Sequence, residues 1–145
     1  MAQIEALERL ASTGLLKQEP PSREEIAGLL GTAAVRLEDA RKTTNAPESR
    51  FDLAYNAAHA LALAALRHHG YRSENRYLVS QTLAHTVALP PEQWRVLEAA
   101  HRKRNAVEYE GLADIDEQTT NATIRVAAEI RSRLSGLRAT RRHPS

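Results

Sequence analysis

A chain of 145 residues with a formal net charge of +2 and 26% charged residues has the size of one domain built round one apolar core. It contains no cysteine, which excludes a disulfide framework and any thiolate metal centre, so packing alone must hold it together. No run approaches the ~20 apolar residues that cross a bilayer, and the opening MAQIEALERL carries acids where a signal peptide carries bases, so neither a membrane nor export is expected and the cytoplasm is the simplest location.

Ile4, Leu7 and Leu10 form a short amphipathic lead. Pro20-Pro21-Ser22-Arg23-Glu24-Glu25 then predicts a helix start, in which Ser22 accepts from the N–H three residues on and Glu25 reaches back as a capping box. Ile26, Leu30, Ala33, Leu37 and Ala40 recur at helical spacing behind it, and the helix is expected to reach about Thr43. A second helix opens at Asn45-Ala46-Pro47 and closes at Gly70. Its alanine-rich run from Phe51 to Leu66 is apolar nearly all round, which assigns it to the centre of a bundle.

Ser73 is expected to cap a shorter third helix running to about Val87, with Leu78, Val79, Thr82, Leu83 and Thr86 inward. Pro90-Pro91 starts a fourth, because a first turn does not need proline's missing N–H; Trp94, Leu97, Ala100 and Val107 are its stripe and Gly111 its stop. The last helix, from about Ile115 to Leu137, turns Ile124, Ala127, Ile130 or Arg131, Leu134 and Leu137 inward, and the basic tail from Arg138 to Ser145 is expected to fray. No strand-like alternation, repeat or low-complexity block competes. The expectation is one all-α domain over residues 1–145 with its core in about 15–138, a four- to five-helix, mostly antiparallel up-and-down bundle.

Charge is unevenly spread: His101-Arg102-Lys103-Arg104 is a basic knot, the last helix is rich in arginine, and an acidic run from Glu108 to Glu117 lies between them. The asymmetry permits an anionic partner without demanding one, and solvated helix faces are the favoured account of either cluster. Two residues contradict their positions. Arg104 sits a heptad beyond Leu97 and about 40° from Ala100, so it continues an apolar stripe and must either meet an acceptor or mark a groove or interface. Asn56 is a carboxamide in the alanine-rich helix; it either fixes register against a neighbour or faces a polar pocket together with Arg104. His101, Asn105 and Tyr109 follow at i, i+4 and i+8 along one ridge, which with the basic knot makes an anion or nucleotide site one reading and a structural helix end the other. His68-His69 suit a helix C-terminus, and His59 and His85 are lone residues; no spacing suggests a metal, and no phosphate-binding glycine loop or nucleophile motif implies a cofactor.

The segment Arg102-Lys103-Arg104-Asn105-Ala106-Val107-Glu108-Tyr109 resembles the signature of the HEPN superfamily, an arginine often followed by a polar residue, with a histidine four to six positions later. The helical order, with the Tyr55-Asn56-Ala57-Ala58 helix before the Arg-Asn helix, is similar to small stand-alone bacterial members over roughly residues 15 to 138. The resemblance implies a four- or five-helix homodimer, packed here through the second and fourth helices. It also implies either a metal-independent endoribonuclease, such as a toxin paired with a nucleotidyltransferase antitoxin, or a non-catalytic binding module.

Carried onto this chain, Arg104 and Asn105 fall on the motif's first positions, and Tyr109 falls where the histidine stands. Tyrosine, with a pKa of about 10 against about 6.5 for histidine, is a poor proton shuttle near neutrality. Gly111 replaces the tyrosine that the toxins carry beyond their histidine. The leading expectation is therefore a binder of RNA or nucleotide around Arg104, Asn105 and Tyr109, with Asn56, His101, Arg102 and Lys103 adding contacts. Against it stand an RNA-cutting toxin built from the same residues and an interaction protein in which Arg104 is a structural ion-pair residue.

Overall fold

The computed structural model describes residues 2–110 and 115–142, except for the side chains of 2–3, 108–110 and 139–142. Its helices are α1 (Ala2–Ser12), α2 (Arg23–Ala40), α3 (Pro47–His68), α4 (Arg76–Gln81), α5 (Leu83–Thr86), α6 (Pro91–Glu110) and α7 (Glu117–Arg142), and the fold is an all-α bundle. Two strands of two residues, β1 (Lys17–Gln18) and β2 (Tyr71–Arg72), pair antiparallel, a feature absent from the sequence expectation because strands this short carry no periodicity.

α3 is the central helix. Ala54, Ala57, Ala58, Leu61, Ala64, Ala65 and Leu66 are all fully or nearly fully buried, and alanine's small volume brings α2 and α7 close on either side. Ile26, Ala33 and Leu37 of α2 and Ile124, Ala127, Ile130 and Leu134 of α7 complete the core, while Arg131 is exposed. Glu25 at the start of α2 meets Arg67 at the end of α3, and Ala40 at the end of α2 meets Arg50 near the start of α3, so these helices are antiparallel. α7 runs parallel to α3 instead: Thr120 Oγ1 donates to the Pro47 carbonyl at 3.1 Å, and Leu137 lines the same groove as His68. The long return through α4, α5 and α6 makes that orientation possible.

Several boundaries differ from expectation. Ser22 Oγ does accept from the Glu25 N–H at 3.2 Å, but the Glu25 carboxylate goes to Arg67 and Arg72, and α2 stops at Ala40, short of Thr43. Asn75, not Ser73, caps the third helix through the Leu78 N–H at 3.1 Å, and that helix breaks at Thr82 into α4 and α5. Gly70 closes α3 with φ 88, a left-handed value that glycine adopts without strain. α7 stays helical to Arg142 where fraying was expected. The expected stop at Gly111 and the acidic position Asp114 lie outside the described residues.

Candidate functional site

Asp52, Tyr55, Asn56 and His59 lie at i, i+3, i+4 and i+7 of α3, so they share one helix face. α4 brings Arg76 and Tyr77 to that face, and α6 brings His101, Arg104 and Asn105. Tyr55 is buried at 3% exposure in a small apolar cluster with Phe51 and Ala100, apart from the main core. The guanidinium carbons of Arg104 and Arg76 stand 5.2 and 5.9 Å from its ring centre, within cation–π range.

Around this platform the polar groups form a connected chain. Arg104 Nε lies 3.8 Å from Asp52 Oδ1; Asn56 Nδ2 donates to Asp52 Oδ2 at 3.2 Å and to the Asp52 carbonyl at 2.9 Å; and Arg76 Nη1 donates to Asn56 Oδ1 at 3.3 Å. His101 is held at both ring nitrogens, with Nδ1 at 2.8 Å from the Tyr55 hydroxyl and Nε2 at 3.3 Å from Asn105 Nδ2. With the Asn105 amide donating, neutral His101 carries its proton on Nδ1 and gives it to Tyr55 Oη. Tyr77, whose ring centre is 5.9 Å from that of His101, donates from its hydroxyl to Glu98 Oε1 at 2.9 Å.

Both histidines of the cluster are poised neutral. Burial, then the charges of Arg104 and Arg76, holds His101 below the ordinary imidazole value. His59, whose buried Nδ1 meets no hydrogen-bonding group among the described residues, is pushed down to about 4 by burial, then by Arg76, Arg104 and His101. The apolar stripe of α6 opens where Arg104 stands: a groove of about 470 Å3 is lined by Glu48, Phe51, Asp52, Arg104 and Val107 among others.

Of the residues singled out from the sequence, Asn56, His101, Arg104 and Asn105 are thus brought together. Arg102 is not: it is 68% exposed and pairs with Glu98 at the rim. Lys103 lies within electrostatic reach of Asp116, where, after the Thr119 N–H and hydroxyl, its charge helps hold that carboxyl low. The side chain of Tyr109 lies outside the described residues. Sequence reasoning missed Asp52, Tyr55, His59, Arg76 and Tyr77. The first three were legible as a polar line through an alanine helix, whereas Arg76 and Tyr77 reach the site only because α4 folds back on α3.

Among the described residues no group of three or more His, Asp or Glu side chains is placed to hold a metal ion, and no helix is long and apolar enough to cross a membrane. Compared with known protein families, curated proteins and solved structures, the chain finds no match in any of the three.

Proposed function

We propose that the α3–α4–α6 face is an anion site that takes the phosphate of an RNA or nucleotide, in a HEPN-like domain that binds without cutting or cuts only weakly. The observation that carries this reading is the pair of guanidinium groups, Arg104 and Arg76, set against one buried tyrosine ring beside a groove. Arginine's planar fork suits phosphate, and an exposed aromatic at the rim, Tyr77 at 37% exposure, suits a base. The ion pair of Arg104 with Asp52, whose side chain is 59% exposed and 3.8 Å away, is itself worth under ~1 kcal/mol.

Binding is favoured over cleavage because His101 has both ring nitrogens engaged; a general base needs a lone pair aimed at the substrate hydroxyl. The endoribonuclease reading draws on the same residue, since His101 lies one turn from Arg104 and stays neutral at pH 7. A homodimer joined through α3 and α6, and a toxin's antitoxin or nucleotidyltransferase partner in the cleavage case, belong to these readings as the family resemblance implies them, and a cytoplasmic location belongs to them from the sequence composition.

The test is a titration of short single-stranded RNA and of nucleotides at several salt concentrations, on the native protein and on Arg104→Ala. The native protein is expected to bind more weakly as salt rises. Arg104→Ala is expected to lose about tenfold or more in affinity while remaining folded. A variant that binds as the native protein does, or that mainly unfolds, turns the reading over to a structural role.

A further inference from the structure

Asp52 is a poor partner for Arg104 in a purely structural sense, yet it occupies the ground between the site's two cations. Its carboxylate faces Arg104 Nε at 3.8 Å and takes the Asn56 amide, whose oxygen in turn holds Arg76. It also lines the groove beside Arg104, with Glu48 further along the same wall. Resting on the reading that this face binds a nucleotide phosphate, we propose that Asp52 is its selectivity residue: a built-in counter-ion that suits the site to a singly charged phosphodiester and withdraws the advantage a doubly charged phosphate monoester would otherwise have.

Local charge sets the preference. Arg104, Arg76 and Asp52 together sum to +1, which matches a singly charged diester, and Glu48 subtracts further along the groove, so the second charge of a monoester meets a carboxylate without a cation to balance it. Neither histidine of the cluster offsets this near neutrality, because burial and the two arginines keep both uncharged there. Arg102 is paired to Glu98, and the charge of Lys103 acts on Asp116. A site for terminal phosphates gains from a further cation facing the second charge. This one carries an acid on the same helix turn as its aromatic platform.

The experiment uses the full chain and two variants, Asp52→Asn and Asp52→Ala. Asp52 is 59% exposed at its side chain, and Asn56 keeps its bond to the residue 52 carbonyl, so neither change threatens the fold. The probes are the four nucleoside 5′-monophosphates and their methyl esters at pH 7.5, pairs that differ by one charge, titrated against the native protein and both variants. The native protein is expected to bind the ester at least as tightly as the monophosphate. Both variants are expected to shift the ratio about tenfold toward the monophosphate, as a like charge removed at this range allows. A native protein that prefers the monophosphate, or a ratio that stays within about twofold in both variants, overturns the role given to Asp52 while the nucleotide site itself stands. If neither member of any pair binds, the site reading fails and the selectivity goes with it.

Discussion

The Tyr55 hydroxyl stands 2.8 Å from Nδ1 of His101, a contact that ties the buried aromatic of α3 to the polar ridge of α6. The same ring underlies two guanidinium groups, so Tyr55 does two separable things, orienting an imidazole and supporting cations. Tyr55→Phe removes only the first. It is expected to cost about 1 kcal/mol of stability and to alter the His101 tautomer, read from its ring-nitrogen chemical shifts, while RNA affinity changes by less than about threefold because the ring remains. Tyr55→Leu removes both and is expected to weaken binding further. Equal losses from the two variants would mean that the platform plays no part in holding Arg104 and Arg76.

Arg67 is a buried guanidinium whose work is structural. At 1% exposure it donates to Glu25 Oε1 at 2.6 Å and to the carbonyls of Glu19, Pro20 and Tyr71 at 2.9, 2.7 and 3.3 Å. It thereby fastens the segment before α2 and the strand β2 to the end of α3. Arg67→Met leaves those acceptors unpaired and is expected to cost about 3 to 5 kcal/mol in denaturant unfolding. Arg72→Met, on a partner whose side chain is 30% exposed, is expected to cost far less. A loss below about 1 kcal/mol at Arg67 would show that water replaces the cation there.

The helical layout was legible because stripes such as Ile26, Ala33 and Leu37, and Leu97 and Ala100, are periodic and each was found buried. So was the central place of α3, since an alanine-rich helix with few polar residues has no outward face. Arg104 announced itself by breaking a stripe, and Asn56 by breaking an alanine run, and both now contact Asp52. What the sequence hid was long-range pairing. Nothing in the local pattern marks Arg67 or Arg50, yet each is buried because carbonyls and carboxylates far along the chain converge on it. Arg76 became part of the site through the fold-back of α4, which no periodicity encodes, and the parallel course of α7 follows from the three-helix return and not from loop length.

Stability is expected to fall with acid in two stages. His59 is held at about 4 against 6.5 in the unfolded chain, so between those values the unfolded state binds more protons and stability rises with pH. The contribution, ~3 kcal/mol, is complete above pH 6.5 and lost toward pH 4. His101 and His85, also lowered chiefly by burial, act in the same direction. Glu25, lowered by its hydrogen bonds from Arg67 and Arg72, and Glu19, lowered by its hydrogen bond from Arg72, extend the loss below pH 4.5. Urea unfolding of His59→Leu at pH 7 and pH 4.5 checks the first stage: the variant is expected to lose less stability on acidification than the native protein. An identical loss in both would place the proton uptake elsewhere.

On the reading proposed, the choice between binding and cutting turns on position 109. The resemblance sets Tyr109 where ribonucleases of the HEPN type carry histidine, and a phenol with a pKa of about 10 transfers few protons at pH 7. The imidazole that is present, His101, is tied at Nδ1 to Tyr55 and at Nε2 to Asn105. The native protein is therefore expected to hold RNA intact in gel and mass-spectrometric assays with or without EDTA. Tyr109→His supplies a second imidazole on the ridge of Asn105 and is expected to create or raise cleavage to 2′,3′-cyclic phosphate ends, with Arg104→Ala abolishing it in the same background by removing the charge that steadies the developing phosphorane. Should the native protein already cleave, with His101→Gln silent and Tyr109→Phe inactive, then Tyr109 is the working proton donor and the binder reading falls. Should His101→Gln be the variant that loses cleavage, the Asn105 contact is one the substrate displaces, and His101 takes the place the motif gives to its histidine.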